Sequence, residues 1–363
     1  MIMASTLGRY LSRRFLIAIC GVLAFLFAQI FLLDFADTMR RASDMPHVSI
    51  SSIATISLFR TPSIIEQTLP FVFLFGAIIC FVSLSWRLEL VVMRAAGLSV
   101  WQFLGPPLTC ALGLGIIAAI VFNPVSATLK MRSDALDAKV FGAEQSRDSD
   151  KALWIRQRSS QGQAVIHALS QGDEDATLNG VTIYAFDVDN RFTRRIEAET
   201  AKLDNGVWHL EKVREFVPNQ QPITQETLDF PTSLTATQVR QNFAVSADSV
   251  SFWRLSAAIA QQGAAGLEAN DYRLQYQTLL ARPVLLVAMV LIAATVSLRF
   301  ARLGGIGVMI LSGIGAGFVL YVVTKMAKDL GTAGLVNPAV AAWSPAVVGV
   351  LIGFSVLLNQ EDG

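Results

Sequence analysis

The chain has 363 residues, of which 53% are hydrophobic and 16% charged, with a net charge of +1. A soluble domain carries about 25% charged residues, so this composition excludes a purely soluble protein, and the balanced charge supplies no basic field for nucleic acid. Cys20, Cys80 and Cys110 all lie in apolar runs, which excludes a disulfide framework for the soluble part and any Cys-x-x-Cys metal or redox pair.

Arg9, Arg13 and Arg14 precede an uncharged run from Phe15 to Leu33. The run is too long for the apolar core of a signal peptide, and no small-residue cleavage site follows it. It is expected to be a first, uncleaved span, with the arginines holding the N-terminus in the cytoplasm. Asp34 to Glu66 is mixed, with Asp34, Asp37, Arg40, Arg41, Asp44, Pro46 and Arg60. It is expected to lie outside, with a weakly amphipathic piece from Ile50. Gln67 to Trp86 is uncharged and forms the second span, since about 20 apolar residues cross the hydrocarbon core.

Trp86 to Gly97 is the charged link to the third span. Leu88, Val91, Val92 and Ala95 recur at helical spacing, with Arg87, Glu89 and Arg94 between them. Two readings of this helix stand. It is a positively charged loop that sets topology, or it plugs into a soluble partner and passes that partner's motion to the membrane. In the second reading Glu89 meets a basic or amide-lined groove, with Leu90, Met93 and Ala96 as apolar anchors. The third span runs on to Leu129. Pro106-Pro107 are expected to kink it or mark its start, and Asn123-Pro124 to mark its exit from lipid.

From Lys130 to Ala269 charges become frequent and the pattern turns to strand. Leu153–Arg158, Ala164–Leu169, Gly180–Asp189, Arg191–Leu203, Val207–Val213 and Thr227–Leu234 are β-rich runs. Asp189-Asn190 and Asp204-Asn205-Gly206 are turn signals between them. Strands at this spacing imply a sandwich, jelly roll or curved sheet. A helical piece through Trp253, Leu255 and Ile259, capped by Ser249 or Ser251, and a Gln261–Gly266 link lead to the fourth span. That span needs Leu274 to Leu298, with Arg282 snorkelling at its outer end. Arg299 and Arg302 mark an inside loop. Leu303 to Thr324 is a fifth span, in which Gly313 and Gly317 permit close helix approach. Lys325, Lys328 and Asp329 lie outside. Asn337 to Leu358, interrupted by Pro338 and Pro345, is the sixth span, with a cytoplasmic tail after it. The expected architecture is six transmembrane helices, three plus three, with an all-β domain between helices 3 and 4: residues 1–129, then 130–269, then 270–363.

Little in this chain points to catalysis. His47, His167 and His209 are far apart, and His209 falls in an alternating strand, where a structural or surface role is the ordinary one. No Gly-x-Ser-x-Gly, His-Glu-x-x-His or Walker sequence occurs. The apolar segments lack the paired carboxylates of a proton-driven carrier, so a transporter would draw its energy from elsewhere.

Leu88-Glu-Leu-Val-Val-Met-Arg-Ala-Ala-Gly-Leu-Ser99, set between two spans, resembles the coupling segment of the LptF/LptG permeases of the lipopolysaccharide-export ABC transporter. Arg9-Tyr-Leu-Ser-Arg-Arg14, Asp34-Phe-Ala-Asp-Thr-Met-Arg-Arg41 and Gly180-Val-Thr-Ile-Tyr-Ala-Phe-Asp187 add to the likeness, and the last two look more like the LptG branch. The order of parts matches over the whole chain. The resemblance implies a non-catalytic permease without a cofactor, paired with an LptF-like permease in the bacterial inner membrane. It implies an LptB-like ATPase dimer on the coupling residues Arg87, Glu89, Leu90, Met93 and Arg94. It also implies a periplasmic jellyroll-like domain that meets LptC-like and LptA-like proteins. In the family the first and fifth spans of the two subunits form lateral gates to a lipid cavity. Here Phe25, Phe27, Phe31, Ile314 and Phe318 would line that cavity, and Arg40 and Arg41 would meet lipopolysaccharide phosphates at its rim. The chain departs from the family at Asp34, where a lysine is expected. A basic residue past the third span also has no matching position, with Lys130 and Arg132 nearby. Another ABC exporter permease, such as a lipoprotein releaser, a membrane-anchored periplasmic enzyme and an envelope scaffold are the rival readings.

Overall fold

The computed structural model describes residues 6–43, 48–145, 153–159, 162–171, 177–187, 191–204, 206–218, 221–232, 247–264, 269–300 and 306–361. The expectations on Asp44, the Asp189-Asn190 turn and Arg302 lie outside these residues. The chain divides into two compact units. One comprises residues 1–133, 247–263 and 268–363, and the other residues 134–246 with 264–267.

The first unit is helical. Its elements are α1 (Thr6–Ala42), α2 (Ile50–Trp86), α3 (Glu89–Ala95), α4 (Val100–Ile117), a π-helical turn (Ala118–Phe122) that leads into the first half of α5 (Asn123–Gln145, of which residues 134–145 belong to the second unit), α6 (Phe252–Ala264), α7 (Asn270–Phe300), α8 (Ile306–Thr332) and α9 (Pro338–Glu361). Among the described residues, five helical stretches are long and apolar enough to cross a membrane: Thr6–Ala42, Ile50–Trp86, Val100–Asp137, Asn270–Ser297 and Pro338–Asn359. The expected fifth span falls in α8, a helix of 27 residues.

Three boundaries differ from the sequence reading. Asp34 to Ala42 continues α1, and Ile50 to Glu66 begins α2, so the expected outside connection shrinks to a short link. Pro62 and Pro70 sit inside α2. The third span does not stop at Asn123-Pro124. Proline removes one helical donor and clashes with the carbonyl four residues back, here that of Ile120. The π turn makes room at this point, and the Trp253 indole donates to the Ile120 carbonyl at 3.2 Å. The helix therefore runs on through Pro124.

The centre of the bundle is α7, whose Leu286, Ala288, Met289, Val290, Leu291, Ala293 and Ala294 are all buried. A helix apolar all round belongs inside a bundle. Small residues allow its neighbours to approach. A Cβ on Gly353 would meet the Leu291 Cβ at 2.7 Å, and one on Gly115 would meet the Pro283 Cα at 2.6 Å. The expected role of Gly317 also has a location: a Cβ there would overlap Leu74, which brings α8 against α2.

The second unit holds a six-stranded antiparallel sheet in the order β1 (Leu153–Ser159), β2 (Gly162–Gln171), β3 (Thr177–Phe186), β4 (Phe192–Asp204), β5 (Val207–Phe216) and β6 (Ile223–Pro231). Its core is one face of alternating residues, including Ile166, Ile183, Ile196, Ala201, Trp208 and Leu210. The β4–β5 hairpin closes with Asp204 opposite Val207 and Gly206 at φ +80°, as the turn signal there requires. All neighbours in the sheet are sequential, which makes the described strands a meander. The double Greek key of a jellyroll is not seen among them. The expected edges of this domain shift too: α5 extends helix as far as Gln145, and α6 packs with the first unit.

Candidate functional site

Charged side chains gather at the two ends of the first unit. At the end where α1 begins, α3 stands between α2 and α4. Its C-terminus is closed by a Schellman motif, with Gly97 N–H on Arg94 C=O at 2.9 Å and Leu98 N–H on Met93 C=O at 3.1 Å. Gly97 has the positive φ (+82°) this motif requires. Ser99 and Gln102 then form a capping box that starts α4. At the opposite side of α3, Leu88 takes φ +57°, a strained value for a residue with a Cβ.

The phase of α3 differs from the expected one. Leu90 and Met93 are buried in the same apolar core as Leu11, Phe15, Phe81, Leu84 and Phe103, so they anchor the helix to its own spans. Arg87, Leu88, Val91, Val92 and Ala95 are exposed, as is Ala96, the third expected anchor, and Arg94 is half-buried. Glu89 carries a connection that the sequence did not suggest. Its carboxylate accepts from the Tyr10 hydroxyl at 2.9 Å and 3.1 Å and lies 3.8 Å from Arg14 Nη2. Arg14 Nε in turn donates to Tyr10 Oη at 3.0 Å. Glu89 is thus joined to α1, nearly eighty residues earlier.

At the other end, Glu66 of α2 is buried. Its two oxygens accept from Arg282 of α7, from Asn123 Nδ2 at 2.8 Å and from the Ser126 hydroxyl. Asn123 also accepts the backbone N–H of Phe252 at 2.8 Å, which fixes the start of α6. Arg282 therefore does not snorkel; it forms an ion pair inside the bundle. Nor are Asp34 and Arg60 loop residues. They face each other from α1 and α2 at 3.4 Å. The position where the family likeness expected a lysine holds an acid whose cation comes from the neighbouring helix.

Among the residues expected to contact lipid, Phe25, Ile314 and Phe318 are exposed on the bundle surface. Phe27 and Phe31 are half-buried, and Phe31 stacks on Phe35 at 6.0 Å. Arg40 and Arg41 cap the far end of α1, and Asp37 engages both, at 3.0 Å and 3.8 Å. Arg40 remains 82% exposed, so its guanidinium keeps donors for a further anion. Among the described residues no histidine takes part in either group. His209 pairs with Asp229 across β5 and β6 at 2.6 Å on an exposed surface.

Tyr10, Glu66, Asn123, Ser126 and Arg282 were missed in the sequence. Arg282 left one signal, as an ionisable residue beside the uncharged run Pro283–Leu298, which is short for a bilayer; Glu66 left none.

The sequence pattern of the family described as "Lipopolysaccharide export system permease LptF/LptG" matches residues 9–359. The chain is 24% identical to the lipopolysaccharide export system permease protein LptG of Escherichia coli (strain K12), over 98% of each chain. It is 25% identical to the protein of the same description from Haemophilus influenzae, over 96% of this chain and 95% of the other.

Proposed function

The chain belongs to the LptF/LptG family of lipopolysaccharide export permeases, and from that premise we propose how its parts divide the work. It is a non-catalytic permease subunit of the lipopolysaccharide export system, most like LptG, with ATP hydrolysis in a separate subunit. Its place is the bacterial inner membrane, beside an LptF-like permease. α8 is the fifth of six spans, both termini are cytoplasmic, and the sheet unit is the periplasmic, jellyroll-like domain that passes lipid to LptC-like and LptA-like proteins.

An LptB-like ATPase dimer engages α3 through its outward side, Arg87, Val91, Val92 and Arg94, with Glu89 shared between the ATPase and the first span. The observation that carries this reading is the bond between Glu89 and Tyr10. Leu90 and Met93 root α3 in the core, while Glu89 ties it to α1. A displacement of α3 by the ATPase therefore reaches the span that carries Phe25, Phe27 and Phe31. Those residues, with Ile314 and Phe318 of α8, form the wall for acyl chains. Arg40 and Arg41 meet the phosphates, which arginine binds in a bidentate way that lysine does not copy.

A photo-crosslinking residue at Phe31 tests this reading, in the wild type and in Arg40→Glu/Arg41→Glu. Lipopolysaccharide crosslinking is expected in the wild type and a severalfold loss in the double variant. Wild-type crosslinking and export in the double variant would exclude these arginines from lipid recognition.

A further inference from the structure

Beside the Glu89 joint is a cavity of about 420 Å³, formed by the first turns of α1 and the last turns of α2. Tyr10, Arg13 and Arg14 line one part of it, and Ile17, Ile79 and Ser83 another. The lining is thus divided: two guanidinium groups and a phenol at the end of the spans, aliphatic side chains deeper in. Ile17 and Ile79 are 58% and 52% exposed on the bundle surface, so the apolar part faces where acyl chains run. Arg13 is exposed, and no hydrogen bond or ion pair engages it among the described residues. Arg14 uses Nε on Tyr10 and holds Glu89 only at 3.8 Å, which leaves further donors of its fork.

We propose that this cavity binds one anionic phospholipid of the surrounding bilayer, its phosphate on Arg13 and Arg14 and the start of one acyl chain along Ile17 and Ile79. Charge complementarity selects an acidic headgroup, because a zwitterionic one brings a cation against two arginines. The divided lining selects a lipid over a free anion. Basic pockets between membrane helices are suited to such headgroups. The orientation given above places this lipid in the inner leaflet; the chemistry of the site does not depend on it. The site is also separate from the exported lipid, whose proposed rim is at the other end of α1.

The test uses the full permease complex in nanodiscs of mixed phosphatidylglycerol and phosphatidylcholine, with either lipid carrying a photoactivatable group near the start of one acyl chain. Both leaflets are then supplied, so a wrong orientation would not hide the site. Phosphatidylglycerol is expected to label peptides that contain Ile17 or Ile79, and phosphatidylcholine to label them at least fivefold less. Arg13→Ala, at an exposed position that leaves the fold intact, should lower the labelling roughly tenfold, as expected for loss of one charge-assisted contact. Ser83→Phe fills the cavity, keeps both arginines, and should lower it as far. Equal labelling by the two lipids, or undiminished labelling in either variant, overturns the proposal. Displacement of the label by millimolar inorganic phosphate also overturns it, because it would identify a small-anion site.

Discussion

Glu66 and Glu89 each join helices distant in sequence, and they are built in opposite ways. Glu66 is 6% exposed and has partners on both oxygens from α5 and α7. The side chain of Glu89 is 27% exposed and bonds to a tyrosine that itself faces solvent. A buried ion pair tolerates the loss of a partner badly, since the remaining charge has little water to turn to. An exposed pair gives little stability and can exchange one partner for another at small cost. The first arrangement pins the helices together, and the second is a joint that can move.

The largest expected effect tests the pin. Glu66→Ala strands Arg282 in the bundle and should cost about 3–5 kcal/mol, read as a fall in thermal midpoint in detergent. Glu66→Leu/Arg282→Met should recover most of that loss, because an apolar pair of similar volume removes the stranded charge. If Glu66→Ala melts like Glu89→Ala, the distinction between the two ends is wrong. The next effect concerns the carbonyl orphaned by Pro124. Trp253→Phe removes its donor and should cost about 1 kcal/mol, measured in the same assay. At the joint the sign of the contrast reverses. Glu89→Lys should change stability by less than about 1 kcal/mol and yet uncouple ATP hydrolysis from lipid release severalfold in vesicles. Smallest of all is Tyr10→Phe, expected to leave folding and ATPase binding intact and to lower the lipid released per ATP. Full coupling in Tyr10→Phe would show that the link from α3 to α1 runs through the apolar core alone.

Much of this contrast could not be read along the chain. Composition and apolar runs located the membrane helices, and β-branched runs between turn signals located all six strands, because both patterns are local. Glu66 was read as part of an outside connection, since a charge next to an apolar run ordinarily marks the edge of the lipid. Its partner Arg282 lies 216 residues away, and no periodicity reports a pair so distant. Pro124 was read as an end because its missing donor was visible and the compensating indole of Trp253 was not. In α3 a helix of seven residues makes too few turns for its pattern to say which side faces the core. Leu90 and Met93 therefore looked as available as Val91 and Val92. Asp34, which departs from the family, became intelligible only when Arg60 was found opposite it.

The bond between Asn123 and Phe252 has a consequence for how such a permease can diversify. It clamps the outgoing and returning chain to each other, so everything between them is a closed excursion from a junction that is already complete. Lengthening a loop between fixed ends adds only a slowly growing entropic cost. The intervening sequence can thus be exchanged, shortened or enlarged with the register of the helices preserved on either side. Between Asn123 and Phe252 the chain is then a replaceable module, free to change while the helices that begin and end it keep their junction.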